Sequence, residues 1–257
     1  MAAGSYEVRS VSRAIGILNV LEQVTPNDPG LTVSDISRIA GGQKSTVFAT
    51  LQTLLAHGLV ADSGAGMSRR YRLGLGLTRL GERAAAQTPI TALLTPAMHE
   101  LSRETGLTAR AAVLDPEGWA VVIARVDAPH AVRLDLRLGQ LERPHCTGLG
   151  KALLALLPDE EVRDILARLG TPMHTPRTLG TVDAVIEHLA EIREADYAVD
   201  DGEDAVGITC VAAAIAGRDG RPMAALSVTG LTADDTMRRP DLVGQLVHKH
   251  AASVTPL

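Results

Sequence analysis

Two adjacent glycines, Gly41 and Gly42, separate a short helical pattern from a longer one and force a tight turn between them, because glycine takes left-handed backbone without steric cost. Before the turn, Thr32 can cap a helix with Asp35 at its third position, and Val33, Ile36, Ile39 and Ala40 form an apolar face. After it, Val47, Leu51, Leu54 and Leu55 recur at helical spacing until His57-Gly58 closes the element. An earlier stripe of Val11, Ala14, Ile15, Leu18 and Leu21 predicts a first helix that stops before the turn-rich segment 25–30. A short helix, a glycine turn and a longer helix make a helix-turn-helix.

The third helix exposes Gln43, Lys44, Ser45, Thr46, Ala49, Thr50 and Gln52 and carries no acidic residue. Such side chains fit a major groove, where they bond base edges and phosphates; they also fit the solvated face of a helical bundle. The adjoining segment favours the groove. Residues 59–61 read as a strand, 62–68 as a loop and 70–73 as a returning strand, so a β-hairpin wing is expected, with Arg69 and Arg70 placed to reach phosphates or the minor groove. Charge agrees: residues 1–90 carry nine Lys and Arg against six Asp and Glu, whereas the remainder is acidic. Five aromatic residues in 257 argue against a base-stacking RNA platform.

An alanine-rich stretch over 75–86 predicts a linker helix, which sets expected boundaries of 1–74 for the DNA-binding domain, 75–88 for the linker and 89–257 for a second domain. There, 93–105, 150–157, 159–169 and 182–195 read as helices. Residues 109–114, 119–126, 132–136, 208–215 and 223–228 read as strands, with a strand near Tyr197. Runs of neighbouring strands beside helices imply an α+β class with an antiparallel sheet. The segment from His145 to Ala155 is a polar, glycine-rich turn entering an apolar helix, which suits either a small anion at the helix start or a plain turn that needs glycine.

The stretch from Leu31 to Leu77, with Lys44-Ser45-Thr46-Val47 and Tyr71-Arg72-Leu73-Gly74, resembles the winged helix-turn-helix of the isocitrate lyase regulator (IclR) family of bacterial transcription factors. The segments HCTGLGKALLA (145–155), 175–215 and AALSVTG (224–230) resemble its effector-binding domain, so the resemblance spans nearly the whole chain. It implies a GAF/PAS-like effector domain that binds a small metabolite, often a carboxylate. It also implies effector contacts at Thr147, Gly148, Leu149 and Gly150, with Asp200, Cys210, Ser227 and Thr229 opposite, and homodimers that pair into tetramers on double-stranded DNA. Departures fall at Ala49, where many members carry a basic or larger residue, and at Ala214, where many carry proline.

A ligand-processing enzyme and a constitutive DNA-binding or scaffolding protein are the rival classes. His145 and Cys146 are chain neighbours and point apart on extended backbone, so they do not make a nucleophile-base pair. His248 and His250 lack clustered partners for a metal and are expected at a solvated helix end. Dinucleotide and phosphate-loop motifs are absent. No catalytic residue, cofactor or metal is therefore expected. Without an 18-residue apolar run or the apolar core of a signal peptide, and with Cys146 and Cys210 as free thiols, the expectation is a cytoplasmic protein with no membrane partner.

Overall fold

The computed structural model describes residues 8–25, 27–87, 89–128 and 138–255. The chain forms two compact units, Met1–Gln87 and Thr88–Leu257. Among the described residues no helix is long and apolar enough to cross a membrane.

The first unit holds α1 (Arg9–Glu22), α2 (Val33–Ala40), α3 (Lys44–Ala56), a hairpin of β1 (Val60–Ser63) and β2 (Arg70–Leu73), and α4 (Leu75–Ala86). Its core is Ile17, Val20, Leu21, Ile36, Val47, Leu51, Leu54, Val60 and Tyr71. The inner face of α1 is rotated from the expected stripe: Ile17, Val20 and Leu21 are buried, whereas Val11 and Ile15 are 55% and 52% exposed. On α2 only Ile36 is buried, and Ile39 is 46% exposed. The Thr32–Asp35 capping box is present in both directions. Gly41 and Gly42 take φ of +77° and +96°, so the tight turn needs both glycines. The hairpin pairs antiparallel, Val60 opposite Leu73 and Ser63 opposite Arg70. Its connection carries a single 3-10 turn at Gly66–Ser68 instead of a plain loop.

The second unit is a six-stranded antiparallel sheet in the order β5-β4-β3-β8-β7-β6. Its strands are β3 (Thr108–Leu114), β4 (Ala120–Val126), β5 (Leu141–Glu142), β6 (Ala198–Asp201), β7 (Ile208–Ala216) and β8 (Pro222–Leu231). Its helices are α5 (Pro89–Thr105), α6 (Gly148–Ala155), α7 (Asp159–Leu169), α8 (Val182–Ala195) and α9 (Pro240–Ala252). One face packs on α5 and α9 through Ala109, Ala111, Val211, Ala213, Leu226 and Val228; the other meets α6, α7 and α8 through Ala112, Ala198, Ala212 and Ala225. Alanines on that second face let α6 approach the strands closely.

Three sequence expectations change here. Helix α5 begins at Pro89, four residues before the expected start, because proline suits the first helical turn and Pro96 is accommodated inside the helix. Helix α9 occupies a segment whose sequence reads only as a turn and a solvated end, and its His250 is buried beside Glu104 at 3.4 Å. The strand expected at 132–136 lies outside the described residues.

Candidate functional site

On α3, Gln43 is the N-cap residue, Lys44 and Ser45 are exposed, and Thr46 and Thr50 are half-buried. The Thr50 hydroxyl donates to the Thr46 carbonyl at 2.9 Å, so its proton is already engaged in its own helix. Phe48 projects from the same helix with 44% of its surface exposed and, with Lys44, Ser45, Thr32, Arg69 and Tyr71, lines a cleft of about 520 Å³. In the sequence, Phe48 falls in neither the inner stripe nor the exposed set read for this helix. The wing arginines are tied to their own domain, against the expectation of free side chains. Arg69 pairs with Asp62 and lies over the Tyr71 ring at 5.6 Å, and Arg70 donates to the Gly30 carbonyl at 2.9 Å.

In the second unit the register aligns Asp200, Cys210, Thr229 and Thr108 in one row across β6, β7, β8 and β3. The next row holds Ala212, Ser227 and Arg110. All face the side covered by α6. A cavity of about 240 Å³ sits there, lined by Arg110, Gln140, Glu142, Thr147, Asp200, Asp204, Ala205, Ile208, Cys210 and Thr229. A wider cleft of about 460 Å³ between the β3–β4 turn and α7 is surface groove; the smaller cavity holds the buried charged groups.

Of the eight effector contacts expected from sequence, Thr147, Asp200, Cys210 and Thr229 line this cavity, and Gly148, Leu149, Gly150 and Ser227 do not. Leu149 is fully buried in the core under α6, and Ser227 is fully buried with its hydroxyl unpartnered. The glycines serve close approach. A Cβ on Gly148 would meet the Cys210 carbonyl at 3.0 Å, and one on Gly150 would meet Pro144 Cα at 2.3 Å. Thr147 caps the helix, accepting from the Gly150 amide at 3.2 Å and donating to the Arg143 carbonyl at 3.0 Å. The first i to i−4 bond runs from the Lys151 amide to the Thr147 carbonyl, which leaves the amides of Gly148 and Leu149 ahead of the helix ladder.

Sequence reasoning missed Arg110, although an arginine alone in the run Leu107–Leu114 was a readable signal. Buried on β3, its guanidinium pairs with Glu142, donates to Thr229 Oγ1 at 3.2 Å and meets Cys210 Sγ at 3.5 Å. Burial pushes the Glu142 carboxyl up, against the pull of Arg110, and raises the Cys210 thiol. Burial also raises Asp200 to about 7, offset in part by the amides of Glu203 at 2.7 Å and Asp204 at 3.3 Å. Near neutrality Asp200 is thus in part a neutral acid that can donate a hydrogen bond. Beneath the glycine turn, the fully buried Lys151 pairs with Glu203 and donates to the Val199 carbonyl at 2.6 Å, joining α6 to β6.

Comparison with known proteins accords with this architecture. The family model described as the IclR helix-turn-helix domain matches residues 10–63, and that for the bacterial transcriptional regulator IclR C-terminal matches residues 82–255. The chain is 34% identical over 227 residues to the HTH-type transcriptional regulator XynR of Escherichia coli K12, covering 88% of this chain and 87% of that protein. To the transcriptional repressor IclR of the same organism it is 30% identical over 255 residues, covering 99% and 91%. An IclR transcriptional regulator from Alicyclobacillus acidocaldarius superposes with a TM-score of 0.81 at 27% identity, covering 97% of this chain and 98% of that one.

Proposed function

The chain belongs to the IclR family of bacterial transcriptional regulators, and on that premise we propose a division of labour in which residues 1–74 hold the operator, 75–88 link, and 89–257 sense the effector. The protein is a DNA-binding transcriptional regulator whose operator affinity is set by a small-molecule effector. It acts without catalysis, in the cytoplasm, as a homo-oligomer. Gln43, Ser45, Thr46 and Thr50 read base edges and Lys44 supplies phosphate affinity. Arg69 and Arg70 brace the wing and offer their remaining N–H donors to the DNA backbone.

The effector is a small carboxylate bound in the cavity beside Thr147. The observation that carries this reading is Arg110, a buried guanidinium on the cavity wall within reach of Thr229 and Cys210. An incoming carboxylate would exchange for Glu142 on that guanidinium, while Asp200 and Asp204 take the ligand's hydroxyl groups. A volume of about 240 Å³ falls below the roughly 300–1,000 Å³ of drug-sized sites, which points to a small metabolite.

Thermal unfolding of the full chain against small hydroxylated carboxylates and their uncharged amides tests the reading. A ligand that binds only the native state raises stability by RT ln(1 + [L]/Kd). The carboxylates should raise the melting temperature and the amides should not. An active carboxylate should also shift operator affinity, measured by fluorescence anisotropy, by about 5–150-fold. Equal stabilisation by the amides, or stabilisation without any change in operator affinity, would overturn it.

A further inference from the structure

Three side chains from distant parts of the chain meet beside the cavity: Cys146 just before α6, His174 in the connection between α7 and α8, and Asp204 after β6. Their spacings of 28 and 30 residues match no short metal motif, so only the fold brings them together. One donor atom from each lies within 4.8 Å of the other two. Cys146 Sγ is 3.7 Å from Asp204 Oδ1, and His174 Nδ1 is 3.4 Å from the same oxygen.

Those separations decide what the cluster fits. Zinc bonds of about 2.3 Å to sulfur and about 2.0–2.2 Å to nitrogen and oxygen, at tetrahedral angles, place sulfur about 3.6 Å and nitrogen about 3.4 Å from the oxygen. As a hydrogen bond, by contrast, a weak S–H donor at 3.7 Å contributes little. Cys146 is fully buried, whereas the His174 and Asp204 side chains are 32% and 41% exposed, which leaves a route for an ion. The Asp204 amide donates to the Asp200 carboxylate at 3.3 Å, which holds the backbone of that residue in place.

We propose that Cys146, His174 and Asp204 form a three-ligand site for a divalent transition ion of the zinc class, with the fourth position left to water or to a donor atom of the effector. On binding, the Cys146 thiol loses its proton to solvent and its sulfur bonds the metal as thiolate; no electron is transferred. Because Asp204 also lines the effector cavity, the metal would tune the same sensor.

The test uses the full chain and Co²⁺ or Zn²⁺ with no effector, so it fails or succeeds independently of the carboxylate reading. Co²⁺ titration should saturate at one ion per chain, with tetrahedral visible bands and a thiolate-to-cobalt charge-transfer band. Cys146→Ser should lose the charge-transfer band and Cys210→Ser should keep it. His174→Ala, at an exposed position, should weaken Zn²⁺ by at least about tenfold while the circular dichroism spectrum stays unchanged. Absence of a charge-transfer band in the parent, its persistence in Cys146→Ser, or unchanged Zn²⁺ affinity in His174→Ala would overturn the site.

Discussion

Arg110 and Glu142 set the sharpest energetic condition at the level of single residues. Both are buried, and each neutralises the other in a place where an isolated charge is costly. Replacing Arg110 by Met strands a buried carboxylate and should destabilise by about 3–5 kcal/mol, whereas an apolar replacement of both partners is often neutral. Chemical denaturation should therefore show Arg110→Met strongly destabilised and Arg110→Met with Glu142→Leu restored to within about 1 kcal/mol of the parent. A double variant as unstable as the single one would mean that the packing of the arginine stem, and not charge pairing, dominates. The sequence showed Asp200, Cys210 and Thr229 as small polar residues in strands but concealed Arg110, because alternation of inner and outer positions is judged from apolar residues. An inward arginine looks like an outward one until its partner, 32 residues on, is placed beside it.

At the level of elements, the helices with explicit end signals were the legible ones. Thr32 with Asp35 marks a start that the structure reproduces, and the helices read over 159–169 and 182–195 end and begin at Gly170 and Thr181, which the structure shows to be their caps. Helix α9 lacks such a cap, and its start at Pro240 comes after a run of charged residues that reads as a turn, so periodicity alone did not reveal it. The glycine turn before α6 was visible while its purpose was not: close approach to Cys210 and Pro144 depends on tertiary neighbours that no local spacing encodes. The Thr32 cap yields a quantitative expectation. Thr32→Ala removes the hydroxyl that accepts from the Asp35 amide and should cost about 0.5–2 kcal/mol at neutral pH. The same hydroxyl and the Thr32 amide donate to the Asp35 carboxylate and hold its pKa below the usual range. A lowered native pKa contributes stability that is present above the unfolded value and is lost as pH falls through the native one. The gap between parent and variant, tracked by thermal unfolding of both from neutral pH downward, should therefore narrow in acid; a constant gap would show that the carboxylate takes no part in the cap.

For the whole molecule, the question is how a DNA-binding unit of so few basic groups holds an operator firmly. With nine basic and six acidic residues up to position 90, one copy has little charge to set against the phosphates. Pairing removes the difficulty, since a second unit joined to the first binds intramolecularly and can raise apparent affinity by roughly 10²–10⁴ without new contacts. The charge asymmetry that suggests this was legible in the sequence, but the surface for pairing was not, because an apolar stripe along α1 reads as core whichever side of it is covered. Val11 and Ile15 instead stand 55% and 52% exposed on one face of α1, four residues apart, and Val8 at its N-cap is 60% exposed. Exposed residues at helical spacing suit a symmetric contact between two copies. Val11→Glu with Ile15→Glu, both outside the core, should leave the circular dichroism spectrum unchanged while weakening operator binding by at least about tenfold. Light scattering of the full chain and of the double variant, read beside anisotropy on one operator duplex, checks this. A double variant that binds as tightly as the parent would show that α1 does not supply the avidity, and a monomeric parent would leave the operator to be held by a single copy.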